Sequence, residues 1–166
     1  MLPIFLKPKI NINLIRIGSK GDGGYYVPKK ILNKIDKIIS LGLGSDWSFE
    51  EKFIIKKNSI QIVFYDHTIN LIFWIKLFLQ TLYYFIRYQS SPKNLFKYFN
   101  YVTFFNNKNT EHKKFKISPK TDFKKNNISL IKILKKEKNN LLLKIDIEGD
   151  EYKILYQIIK YQKIIN

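Results

Sequence analysis

Leu141–Leu155, LLLKIDIEGDEYKIL, is an apolar run that breaks abruptly into four acids, Asp146, Glu148, Asp150 and Glu151, around Gly149. Its first half has the composition of a strand buried on both faces, and the residues from Glu151 onward have the spacing of an amphipathic helix. The acids therefore crowd the carboxyl end of a strand. In open α/β sheets that edge is where ligands bind, so the carboxylate cluster is a candidate site on physical grounds alone.

Outward from this stretch, strand-like and helix-like segments alternate. Strands are expected at Lys37–Leu41, Gln61–Tyr65, Tyr101–Phe105 and Leu141–Ile145, and helices at Ser48–Lys57, Asn70–Tyr88, Ser129–Lys136 and Glu151–Ile164. Such alternation predicts an α/β fold, a mainly parallel sheet flanked by helices. The lysine-rich stretch 106–127 reads as a long connection carrying a short strand near Phe115–Ile117. No internal repeat and no Gly/Ser-rich linker divides the chain, so residues 1–166 are expected to form one domain, with 1–30 as an N-terminal extension and glycine-rich turn and 37–166 as the core.

Ile38–Glu50, IISLGLGSDWSFE, carries the second site signal. Gly42 and Gly44 let the backbone turn tightly and approach a ligand closely, and the following helix offers free N–H groups. Ser48 is expected to cap that helix, with Glu51 closing a capping box. Trp47 stands where a dinucleotide fingerprint has its third glycine, which disfavours a nicotinamide-dependent dehydrogenase. Asp66 closes the next strand at roughly the twenty-residue spacing at which an acid grips ribose hydroxyls, and it is followed by His67 and Thr68. Arg16–Pro28, RIGSKGDGGYYVP, holds four of the seven glycines and reads as a hairpin or lid over the site.

Composition narrows the function classes. The absence of cysteine excludes disulfides, thiolate metal sites and cysteine nucleophiles. The acidic cluster lacks the alternating acids of an EF-hand loop, and no metal site is expected. A net charge of +17 invites a polyanion reading, yet all but two of the 30 basic residues are lysine, spread along the chain, and alanine is absent. That pattern fits A/T-rich codon usage and a solvated basic surface, so no specific nucleic-acid partner is expected. MLPIFLKPKI, residues 1–10, lacks the pattern of a secretory signal, which points to a cytoplasmic protein. Ile69–Tyr88 is long enough to span a bilayer but carries Lys76, Gln80 and Thr81 near its middle. A buried or interfacial helix is expected there, and its broad apolar face makes residues 69–88 a candidate contact with a membrane surface or a partner.

Taken in order, RIGSKGDGGYYVP (16–28), IISLGLGSDWSFE (38–50), FYDHTI (64–69) and LLLKIDIEGDEYKIL (141–155) resemble the FkbM-family methyltransferases, a branch of the class I S-adenosylmethionine-dependent enzymes. The resemblance implies a Rossmann-like fold in which Gly42, Gly44, Ser45 and Asp46 approach the S-adenosylmethionine cofactor, Asp66 holds its ribose and Asp146 sits at the rim of the methyl-transfer pocket. It implies O-methylation of a sugar or metabolite hydroxyl, with a small molecule or glycan as acceptor. Asp146 or His67 would take the hydroxyl proton and Glu148 would orient the acceptor. The family's domain continues past the helix that follows the acidic motif. A sheet of about four or five strands, incomplete on its C-terminal side with Ile164 and Ile165 at an exposed edge, is therefore expected. A non-catalytic remnant that binds cofactor or a partner, and a basic protein that binds polyanions or membrane surfaces, are the alternative readings.

Overall fold

The computed structural model describes residues 12–21, 23–137 and 140–165. The stretch 1–10, Asp22 and Asn166 lie outside them, as does the side chain of Ile164. The protein is mixed α/β. A central sheet of four parallel strands is built from β3 (Lys37–Leu41), β4 (Gln61–Tyr65), β5 (Thr110–Lys113) and β8 (Leu141–Ile145) in the order β5-β4-β3-β8. An antiparallel hairpin, β1 (Leu14–Ile17) and β2 (Tyr25–Pro28), and a small parallel pair, β6 (Lys116–Ser118) and β7 (Asn127–Ser129), complete the strands.

Period-two alternation along the central strands divides the core into two layers. Ile38, Ile62, Phe64 and Leu142 point to one face, where they meet Phe49 and Phe53 of α1 (Ser48–Lys56), Trp74 of α2 (Leu71–Ile86) and the hairpin residues Ile17 and Val27. α3 (Lys97–Phe105) completes that layer through Tyr101, Phe104 and Phe105. Ile39, Leu41, Val63 and Leu141 point to the other face, against α4 (Leu130–Leu134), α5 (Glu151–Tyr161) and the β6–β7 pair. Burial on both faces explains why these strands read as continuous apolar runs.

Three expectations are corrected. Tyr101–Phe105 is the last turn of α3, not a strand. Its aromatic and β-branched residues suit a strand, but Tyr101, Phe104 and Phe105 stand at helical spacing, and their rings meet Trp47 and Phe64 at centroid distances between 5.1 and 6.2 Å. Tertiary packing overrides propensity there. The outer strand comes instead from the polar Thr110–Lys113, which pairs on one side only, with β4. Finally, Ile165 is not left on an open edge. It forms a parallel bridge with Leu141, and its side chain packs against the second core layer.

Candidate functional site

The strand order reverses between β3 and β8: successive crossovers carry the chain from β3 outward through β4 to β5, and then back to the other side of β3. Loops leaving the carboxyl ends of two such strands diverge and leave a crevice between them. Gly42 follows β3 and Asp146 follows β8, so both stand at this reversal. The two tips are joined by an Asp146 N–H donation to the Leu41 carbonyl at 2.8 Å. Gly42 has φ +88, and a Cβ added there would lie 1.9 Å from the Asp146 carbonyl oxygen, an approach only glycine permits. Gly44, at φ +60, has no atom within 4 Å of its missing Cβ and faces open space.

Asp66 holds this glycine turn. Its Oδ2 accepts from the N–H of Leu43 at 2.8 Å and of Gly44 at 3.5 Å, and its Oδ1 accepts from the Thr68 N–H and hydroxyl, both at 2.6 Å. Burial alone would push the carboxyl up, but these four donors outweigh it and keep Asp66 below the usual carboxylate range. Beneath it, His112 Nε2 lies 2.8 Å from the Asp66 carbonyl, and its Nδ1 lies 2.7 Å from the Tyr101 hydroxyl. A carbonyl can only accept, so Nε2 carries the proton and Nδ1 accepts from Tyr101. Burial lowers the His112 pKa and favours this neutral form.

The hairpin closes the site from above. Arg16 donates to the carbonyls of Ser19, Lys20 and Gly21 and so stiffens the loop. A Cβ on Gly23 would meet the Asp46 carboxylate at 2.5 Å, so the loop rests on that acid. Asp46 Oδ1 accepts from the Ser48 N–H at 2.9 Å, and Ser48 Oγ accepts from the Ser19 N–H at 2.8 Å. The expected capping box does not form: Asp46, two residues ahead of Ser48, serves the first turn, and the residue at the N-cap, Trp47, has no side-chain bond to the helix. Burial would raise the Asp46 pKa, but donation from Ser48 and Ser19 and the charge of Lys97 hold it low. Tyr25, on β2, donates its hydroxyl to Asp146 Oδ2 at 2.7 Å.

These elements enclose a cavity of about 320 Å³. The eight residues expected to touch cofactor or acceptor, Gly42, Gly44, Ser45, Asp46, Asp66, His67, Asp146 and Glu148, line it. The volume lies within the range of small-molecule sites. A second, more open cleft of about 600 Å³ adjoins it, sharing Ser45 and Asp46 and walled by Lys93, Asn94, Lys97, Asn100 and Thr103.

The other two acids of the motif are tied into the scaffold. Glu151 accepts from the Ile147 and Gly149 N–H groups and closes the loop after β8, while Asp150 pairs with Lys153 and Lys116. Among the described residues, no group of three or more His, Asp or Glu side chains is arranged to hold a metal ion.

Sequence reasoning missed Tyr25, Lys116, His112 and a buried ion pair under the site. Lys144 Nζ lies 3.1 Å from Glu50 Oε1, which also accepts from Ser40 at 2.6 Å, and the Lys144 ammonium sits 4.9 Å from the Tyr25 ring centroid. A lysine at an inward position of a buried strand, facing an acid on the inner face of α1, is the pattern that marks it. Comparison of the chain with known protein families, with curated proteins and with solved structures finds no match. The cavity itself is therefore the basis for assigning a function.

Proposed function

We propose that this protein is an S-adenosylmethionine-dependent methyltransferase of the FkbM type, with a Rossmann-like sheet, acting on a hydroxyl of a sugar or metabolite. The observation that carries the reading is the meeting of the Gly42–Gly44 turn, Asp66 and Asp146 in one cavity at the reversal of strand order. Gly42 lets the turn pack against the Asp146 carbonyl, and Gly44, whose missing Cβ faces open space, leaves the backbone of the turn open to the close approach of an adenosyl cofactor. Gly42, Gly44, Ser45 and Asp46 would line its methionine end. The Asp66 carboxylate has four protein donors already, and its 3.5 Å bond to Gly44 is the one a ribose hydroxyl would displace.

Bound S-adenosylmethionine supplies a methyl group activated on a sulfonium, so the chain has to contribute alignment and a proton acceptor. Tyr25 donates to Oδ2 of Asp146 and fixes the carboxylate, so Oδ1 would be the atom placed to take the proton of an acceptor hydroxyl. His67 lines the same cavity as the alternative acceptor, and Glu148 would orient the substrate. The adjoining cleft, with its amide, hydroxyl and ammonium groups, is suited to a polyhydroxylated acceptor.

Calorimetric titration with S-adenosylmethionine and S-adenosylhomocysteine tests the cofactor, and transfer of labelled methyl onto a glycan pool tests the reaction. Asp146→Asn, at an exposed position, is expected to leave folding unchanged and reduce transfer by roughly a hundredfold or more. Folded protein that binds neither compound would refute the reading. Binding without transfer to any acceptor would leave a cofactor-binding protein and remove the enzyme.

A further inference from the structure

We infer that the outer face of α2 docks on an anionic membrane surface. At about 100° per residue, Phe73, Trp74, Leu77 and Thr81 share one side of the helix, which faces the core. A surface helix normally carries polar residues on the opposite side. Here Ile72, Ile75, Phe78, Leu79 and Ile86 occupy it, with exposures from 49 to 68%. They form a second apolar face about 120° wide, separated from the buried one by a polar stripe of Lys76, Gln80 and Arg87.

Charge identifies the occupant. From His67 to Thr110 the chain has no Asp or Glu, against the five bases Lys76, Arg87, Lys93, Lys97 and Lys108. On this face a second copy of the chain would bring Lys76 and Arg87 against their equivalents with no acid in the segment to pair them, whereas an anionic headgroup layer attracts both. The breadth of the face also suits a fluid acyl boundary better than the narrow seam of a helix pair. Tyr83, Tyr84 and Tyr88 cluster at the C-terminal end of α2, and amphipathic rings of this kind favour the headgroup level. Among the described residues, no helix is long and apolar enough to cross a membrane, so α2 lies on the surface with its bases reaching the headgroups.

Vesicle flotation tests this without cofactor or acceptor, so its outcome is independent of the methyl-transfer assay. The protein should float with vesicles of phosphatidylcholine mixed with phosphatidylglycerol, at least about tenfold more strongly than with phosphatidylcholine alone, and the difference should shrink as salt rises. Ile75→Gln with Leu79→Gln should weaken binding to mixed vesicles by about tenfold or more with the melting temperature unchanged. Lys76→Glu with Arg87→Glu should abolish the preference for anionic lipid. Protein that stays unbound with mixed vesicles overturns the inference, as does binding indifferent to both pairs of substitutions. A dimer that the apolar pair dissolves, in protein that ignores vesicles, would replace it with self-association.

Discussion

Lys144→Met is expected to destabilise the protein severely, because it removes one half of a pair that water barely reaches. Glu50 is fully buried, and the Lys144 side chain is 6% exposed. Methionine keeps most of the stem that covers Tyr25 and Phe49 but leaves the Glu50 carboxylate with only the Ser40 hydroxyl, while its Oε2 already has no partner. Breaking a buried pair from one side costs about 3–5 kcal/mol. For a chain of this length that lowers the melting temperature by roughly 6–20 °C. The double variant Glu50→Leu with Lys144→Met buries no charge and leaves the Ser40 hydroxyl its 3.4 Å bond to the Gly42 carbonyl, so it should recover most of the loss. Urea unfolding of the four proteins gives the coupling directly, with about 2 kcal/mol or more expected. Additivity within about 0.5 kcal/mol would show that the two groups do not act as a pair and would refute the reasoning.

Gly42→Ala should cost at least about 2 kcal/mol, combining left-handed backbone with a methyl 1.9 Å from the Asp146 carbonyl, whereas Gly44→Ala, with no atom near, should cost about 1–2 kcal/mol; equal denaturation midpoints would contradict this account of the turn. Stability should fall in two stages as pH drops. His112 has its pKa lowered from 6.5, so below that value the unfolded chain takes up a proton that the folded chain refuses, and the loss levels off once folded His112 titrates. Asp66, held below 3.8, adds stability above that pH that is lost as pH falls through its lower folded value. Urea midpoints recorded across this range should show both declines, and His112→Gln should erase the first while keeping the second.

The central strands were legible because burial on both faces writes a continuous apolar run, and the boundaries of β3, β4 and β8 agree with the expected ones residue for residue. The cavity residues were legible for a related reason: an apolar run that stops at glycine or acid marks a strand tip, and tips of neighbouring parallel strands share an edge. The edge strand β5 was not legible. Thr110–Lys113 pairs on one side only and needs no apolar face, so TEHK looks like a loop, while the aromatic end of α3 looked like a strand. Lys144 and Glu50 escaped because their meaning depends on a contact across 94 residues that no local pattern contains. Asp66 lines the cavity, but its commitment to four donors of its own chain appears only when the glycine turn folds back on it.

That division between carboxylates bears on Glu148. Positive φ gathers at the strand tips, at Gly42, Gly44 and Gly149, and Glu148 shares it at φ 47. For a side chain other than glycine this conformation costs about 1 kcal/mol. The hydrogen bonds that close the loop are donated by the N–H groups on either side to the Glu151 carboxylate, so the turn itself does not require an acid at 148. An exposed carboxylate held in a strained backbone, lining the cavity and absent from the scaffold, is best explained by what it faces. Glu148→Gly should therefore leave stability unchanged or raise it by up to about 1 kcal/mol, the relief of strain being partly offset by the freer unfolded chain. The same substitution should weaken acceptor use, seen as a raised KM with cofactor affinity retained. A loss of stability above about 1 kcal/mol would assign Glu148 to the scaffold alongside Asp66 and Glu151, leaving Asp146 as the acid of the motif that is free to act on a ligand.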